Sequence, residues 1–300
     1  MKKALSVFFL LATGLGVRGI RCGGQQSAPS DWQSLIKEGK SAEAGKLCTS
    51  WLDSSDVAKK AEAHKCLANV ALCGKDKEVV FLEPDDVGGG SISSTYRSDA
   101  VDEALDHLNQ ALKLAPQDLS IHQGRLHLLQ ISSRYVEMTK ALDESCQTYK
   151  GADALTAWIA YSGELFEDRH YQAAIAFLEV LDKRYPDSHE VLGNLGAVYA
   201  MLKQEDKAIA FLRRAVELAP NDPIDTWNLG RMYDYAGKIE FADRWYQKGL
   251  SLQTDPEKRP NLLCMYAEFV EKKLHEPERA CGLQKVNCPA DQQTACAAQK

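Results

Sequence analysis

Nine cysteines and seven histidines are the residues of this chain best suited to chemistry, and their spacing limits what they can do. A structural metal site draws ligands a few residues apart on a tight loop or a single helical face. No Cys-x-x-Cys pair occurs, and no cysteine stands at finger spacing from a histidine. His122 and His127 are five apart, which sets them about 140° apart around a helix. The run Gly88-Gly89-Gly90-Ser91 lacks the Lys-Ser/Thr that completes a phosphate loop. Asp85-Asp86 reads as a solvated turn. Nucleophile-elbow, dinucleotide and calcium-loop patterns are missing as well. The expectation is a chain with no catalytic residue, no metal and no cofactor.

The cysteines point instead to cross-linking. Setting Cys22 aside leaves Cys48, Cys66, Cys73, Cys146, Cys264, Cys281, Cys288 and Cys296, an even number. Four of them fall in the last 37 residues, where a short tail needs stapling. Cys66 and Cys73 are about 10 Å apart along a continuous helix and so cannot join. The plainer reading is that several act as small core hydrophobes.

An oxidising compartment fits the first residues. Lys2 and Lys3 precede an apolar run, Ala4 to Val17, closed by small residues at Gly14 and Gly16, so that 1–21 reads as an export signal. The run falls short of the roughly 20 residues that span a bilayer. Residues 22–30 read as a flexible segment. A lipid anchor at Cys22 is the alternative, with Gly23 to Ser27 as tether, although Arg21 stands where a small residue is wanted. It would be the only membrane attachment. The formal charge is −6, and about −10 without the first 21 residues. An acidic chain with no basic stripe argues against nucleic acid as partner.

The elements that position these residues show themselves by period. Stepping 34 residues aligns Tyr161, Leu195 and Leu229, then Leu165, Tyr199 and Tyr233, then Ala174, Ala208 and Ala242. Pro186 and Pro220 repeat at the same step, each followed by a polar cap. Three tandem units emerge at 155–188, 189–222 and 223–256. Apolar residues recur every three or four positions, so each unit holds two helices, about Leu192–Leu202 and Glu205–Leu218 in the middle one. Gly196 and Ala208 let the two approach closely. Pro220 stops the second helix, Asp222 caps the next and Pro223 opens it.

The middle unit, Leu192…Leu195-Gly196…Tyr199…Ala208…Leu212…Ala215…Pro220, resembles the tetratricopeptide repeat at nearly every consensus position. The third departs at Gly249 and Thr254, the first at Ser162, Leu165 and Leu181. Weaker helical pairs are expected over 31–154, interrupted by an insertion at 74–99 that is read as a mobile surface loop or a partner-contacting one. A capping helix is expected over 257–275, and a Cys-rich tail at 276–300. The implied fold is all-α, a right-handed superhelical solenoid of antiparallel helix pairs.

The first helix of each unit lines the concave face of such a solenoid. In that register Ile159, Gly163 and Phe166 face the groove, then Gly193, Asn194, Ala197 and Met201, then Trp227, Asn228, Arg231, Asp234 and Tyr235. Asn194 and Asn228 fall at one repeat position, within Asn-Leu-Gly-x-x-Tyr. They are similar to the asparagine ladder in the repeat domain of O-linked N-acetylglucosamine transferase, which implies capture of an extended peptide backbone. An amide donates to a carbonyl and accepts from an N–H together. The plain alternative is that both face water. Ala160 ends the ladder at two rungs. Ile159, Gly193 and Trp227 replace the polar residues of a chaperone-tail clamp, so that ligand is not expected. Trp227, Arg231 and Tyr235 are of types that anchor interfaces, with burial between units the alternative for Trp227. The expected role is a non-catalytic scaffold or adaptor that binds a protein or extended peptide segment outside the cytoplasm. The rivals are an accessory or catalytic subunit of an envelope enzyme, and a lipid-tethered structural component.

Overall fold

A computed structural model describes residues 32–73, 77–81, 92–289 and 293–297. The expected export segment 1–21, residues 22–30 and Cys22 lie outside the described residues. The chain divides into two compact units, one ending at Arg184 and one beginning at Tyr185, so the boundary falls four residues before the first of the three regular repeats ends.

The first unit contains α1 (Trp32–Lys37), α2 (Ser41–Trp51), α3 (Val57–Leu72), α4 (Ser98–Leu114), α5 (Leu119–Ile131), α6 (Tyr135–Thr148), α7 (Ala154–Glu167) and α8 (Tyr171–Arg184). Trp32, Leu35 and Ile36 of α1 bury themselves against Ala44, Cys48 and Cys66. A second core joins Ala68 and Leu72 of α3 to Ala104 and Leu108 of α4 and to Ile121 and Leu128 of α5. Asp56 and Asp118 accept backbone N–H groups at the starts of α3 and α5, supplying acceptors to donors that have no partner within the helix.

Two stretches of the 74–99 segment are strands. Within it, β1 (Lys77–Phe81) and β2 (Ile92–Tyr96) form an antiparallel ribbon, with Lys77 opposite Tyr96 and Phe81 opposite Ile92. The β-branched and aromatic residues of Val79-Val80-Phe81 and of Thr95-Tyr96 favour strands. The apolar run was short enough to be passed over beside so many helical segments.

The second unit contains α9 (His189–Met201), α10 (Glu205–Leu218), α11 (Pro223–Tyr235), α12 (Ile239–Leu252), α13 (Arg259–Lys272), α14 (Pro277–Asn287) and α15 (Thr294–Ala297). Ser188 and Asp222, 34 residues apart, cap α9 and α11 through their side-chain oxygens. Leu192, Leu195, Ala208, Leu212 and Ala215 are completely or almost completely buried in the seam of the first helix pair. Gly196 makes that seam close, since a Cβ there would meet Leu212 Cγ at 2.6 Å.

Both units close their helix pairs in the same way. Ser133, Arg169, Lys203 and Gly237 have φ of 58°, 64°, 57° and 69°, each one residue before a backbone bond that spans the turn. Gln204 N donates to Tyr199 O at 3.0 Å, and Lys238 N to Tyr233 O at 2.8 Å. This is the left-handed helix stop, repeated with the period of the array.

Past α13 the described residues of the Cys-rich tail include α14 and α15. Three pairs of cysteines stand at disulfide distance, with Cα atoms 6.2 Å apart for Cys48 and Cys66, 5.2 Å for Cys264 and Cys288, and 4.7 Å for Cys281 and Cys296. The last two pairs join α14 to α13 and α15 to α14. No helix among the described residues is long and apolar enough to cross a membrane.

Candidate functional site

The site is built on the first helices of successive repeats, α9 and α11 in the second unit. Asn194 and Asn228 occupy equivalent positions on them. Asn194 is half-buried, and its amide nitrogen is buried with no hydrogen-bond partner among the described residues. Asn228 is 8% exposed. An orphaned buried donor is costly, so the Asn194 amide is a group that gains by meeting a carbonyl.

Around the C-terminal half of α11, Arg231 is buried and donates from Nη2 to the Tyr235 hydroxyl at 3.1 Å, with its guanidinium 5.8 Å from that ring's centre. Tyr235 itself is 56% exposed, so the buried arginine orients an exposed aromatic ring. Burial pushes the neighbouring Asp234 carboxyl up from its usual range, against the pull of Lys273, whose Nζ is 3.8 Å away. Met201 is half-buried at the last turn of α9.

Trp227 does not belong on an open face. It is 4% exposed, its ring centre lies 4.5 Å from that of Tyr246, and its backbone lies 3.2 Å from where a Cβ on Gly249 would stand. The glycine that departs from the repeat consensus is the one that admits Trp227. The indole fills a seam between helices, which removes it from any binding anchor set.

In the first unit, Phe166 is half-buried at the end of α7 and meets Tyr171 edge-on, with ring centres 5.4 Å apart. Ile159 is buried. A polar chain runs beside them: the Tyr161 hydroxyl donates to Gln130 Oε1 at 2.6 Å, and Gln130 Nε2 donates to Asp168 Oδ2 at 3.0 Å. Burial, with the charges of Asp168 and Glu167, holds the Glu164 carboxyl above its usual range. This chain lies on α5 and α7, not at the insertion. The spacing of Gln130 from Tyr161 did not announce it.

A second feature missed from sequence sits where α9 and α11 begin. His189 Nδ1 is 2.8 Å from Asp225 Oδ2, and Asp222 stands beside them. Their 33- and 36-residue separations hide the cluster; only stacking of consecutive repeats brings them together. The repeat period was the signal available, because Asp222 is the cap of the unit that follows His189.

Comparison with known proteins agrees with this geometry. A family profile described as tetratricopeptide repeat matches residues 165–229. That stretch of the chain consists of tetratricopeptide repeats. It is 31% identical over 81 residues to the photosystem I assembly protein Ycf3 of Synechococcus, a match that covers 25% of this chain and 47% of that one. The chain thus spans about half the length of that curated relative. Among solved structures, the C-terminal part of a repeat-containing protein from Cytophaga hutchinsonii is 13% identical, covers 90% of this chain and 98% of its own, and has a TM-score of 0.52. That likeness shows the helical-repeat fold. PilF of Pseudomonas aeruginosa is 17% identical over 67% of this chain and 91% of its own, with a TM-score of 0.44. Repeat arrays of this type build extended surfaces for protein partners.

Proposed function

We propose that this repeat protein is a non-catalytic scaffold that holds an extended protein or peptide segment against the first helices of its second unit. The observation that carries the reading is the recurrence of Asn194 and Asn228 one repeat apart, with the Asn194 amide nitrogen buried and without a hydrogen-bond partner among the described residues. Side-chain amides repeated along a face grip a peptide backbone without reading its sequence. Tyr235, exposed and steadied by Arg231, and Met201 at the end of α9 add apolar contact on these same two helices. The acidic chain disfavours nucleic acid as partner.

The place of action in this reading is outside the cytoplasm, at the cell envelope. The positively charged and apolar run of 1–21 supports it, and so do the three cysteine pairs at disulfide distance, since such pairs persist in oxidising compartments. Acylation of Cys22 would tether the chain to a membrane. Mass measurement of the native mature chain distinguishes a cleaved soluble form from a lipidated one.

The test is copurification of the mature protein from its native envelope after mild cross-linking, beside the Asn194→Ala/Asn228→Ala variant. A discrete partner that the variant loses is the expected result. A partner retained by the variant moves the site off these helices. No partner in either preparation overturns the scaffold reading.

A further inference from the structure

The cluster where α9 and α11 begin has the composition of a metal site. His189 is the first residue of α9, Asp222 the cap of α11 and Asp225 the third residue of α11. One ligand atom from each lies within 4.8 Å of the others. Asp222 uses one carboxylate oxygen on the N–H groups of Ile224 and Asp225, at 2.9 and 2.7 Å, which leaves its second oxygen for another partner. Gly193, one turn after His189 on the same face, clears the space: a Cβ there would stand 2.4 Å from Asp225 Oδ1.

Charge is the independent reason to expect a ligand. Asp225 is 5% exposed, with Asp222 and Glu190 acting on it as like charges. Among the described residues no lysine or arginine forms an ion pair with Asp222 or Asp225; the sole basic group is the His189 imidazole. Buried carboxylates are paired with cations or bind metals. Here three carboxylates share one imidazole. The positive end of the α11 dipole opposes a cation, but it faces several full negative charges.

We propose that His189, Asp222 and Asp225 bind a divalent transition-metal ion, zinc(II) or a similar ion, that clamps two consecutive repeats together. One imidazole nitrogen and two carboxylate oxygens form a donor set that zinc accepts, and solvent reaches the half-exposed His189 and Asp222 to complete the shell. Tetrahedral coordination separates neighbouring ligands by about 3.3 Å, so His189 and Asp225 open by roughly 0.5 Å to admit the ion.

The full mature chain, stripped with a chelator and desalted, would be titrated with zinc chloride against a chromophoric zinc indicator at pH 7.5. The wild type takes up a zinc equivalent that His189→Gln and Asp225→Asn lose, each with affinity reduced by more than about tenfold, the loss that even an outer-shell partner can cause. His64→Gln/His107→Gln serves as control, since the Nδ1 atoms of His64 and His107 lie 3.1 Å apart and form the other imidazole pair that zinc could meet. That variant keeps the zinc equivalent. Asp222→Asn, whose side chain caps a helix as well as aspartate does, gives a folded variant that also loses affinity. Zinc raises the melting temperature of the wild type and of the His64→Gln/His107→Gln control, and not that of the cluster variants. The proposal is overturned if the folded wild type takes up no zinc, or if the cluster variants bind it as tightly as the wild type does.

Discussion

Gly196 lies directly under Leu212: a Cβ on the glycine would stand 2.6 Å from the leucine Cγ and 3.3 Å from the Ala208 carbonyl oxygen. The hairpin of α9 and α10 is closed to that limit. Gly196→Ala therefore gains about 1 kcal/mol of helix propensity but loses more through overpacking, about 1–3 kcal/mol. Gly282, exposed in α14 with nothing within 4 Å of an added Cβ, is the contrast. Gly282→Ala should stabilise by about 0.5–1 kcal/mol. Urea denaturation of both variants reads the two signs side by side.

Trp227 is the residue whose role changes most between sequence and structure. Its side chain is buried and its indole packs on Tyr246 with ring centres 4.5 Å apart, so Trp227→Ala should cost about 3–5 kcal/mol of stability. A surface anchor would cost far less and would weaken only binding. Chemical denaturation followed by circular dichroism separates the two.

The periodic part of the chain was legible because its physics is local. Apolar spacing, Pro220, and the caps Ser188 and Asp222 each act within a few residues, and α10 begins at Glu205 and ends at Leu218. What escaped depends on contacts between repeats. Trp227 is an interface type by residue identity, and only the neighbouring Gly249 shows that it is covered. His189 and Asp225 meet because helices of adjacent repeats stack. The turn residues Ser133, Arg169 and Lys203 take a left-handed conformation that favours glycine, so only Gly39 and Gly237 announced these turns. The helices of the tail, α14 and α15, were hidden because their cysteines drew attention to stapling rather than to local periodicity.

The Asn194 amide nitrogen has no hydrogen-bond partner among the described residues. Truncating an unsatisfied buried donor removes its desolvation cost, and alanine is the better helix former. Asn194→Ala is therefore expected to leave the melting temperature unchanged or raise it, while the partner is lost. A destabilisation above about 1 kcal/mol would mark the amide as structural.

The His189–Asp225 pair gives stability a pH dependence of definite sign. The Asp225 carboxyl is raised by burial to about 6, from an unfolded value near 3.9. Between those values the folded chain holds a proton that the unfolded chain has released, so stability from this group falls as pH rises through the window. His189, facing Asp225, Glu190 and Asp222, is also raised. Its contribution is complete below the unfolded value near 6.5 and lost as pH rises through the folded one. In the presence of a chelator, the wild type should thus lose stability relative to Asp225→Asn as pH is raised from about 5 to 8. His64, His107, His122 and His127, all lowered first by burial, act with the opposite sign and are common to both chains. The difference between paired thermal melts isolates the cluster. A flat difference would show that the pair exchanges no proton on folding.

Cys281 of α14 and Cys296 of α15 stand at disulfide distance, as do Cys264 of α13 and Cys288 just past the end of α14. Without these links the tail depends on few apolar contacts: Ala280, Cys281, Cys288 and Ala295 are its buried hydrophobic residues. Closing loops with sequence separations of 24 and 15 residues contributes about 3 kcal/mol each in the chain-entropy description. Reduction should therefore release the tail before it melts the regular repeats, because Leu192, Leu195 and Leu212 owe nothing to either link. Non-reducing peptide maps of the native protein should show Cys264–Cys288 and Cys281–Cys296 cross-links. After reduction, limited trypsin digestion should cut at Lys285 while the 189–252 core persists. Simultaneous loss of tail and core would mean that the tail acts as an integral cap on the array rather than as a separately stapled segment.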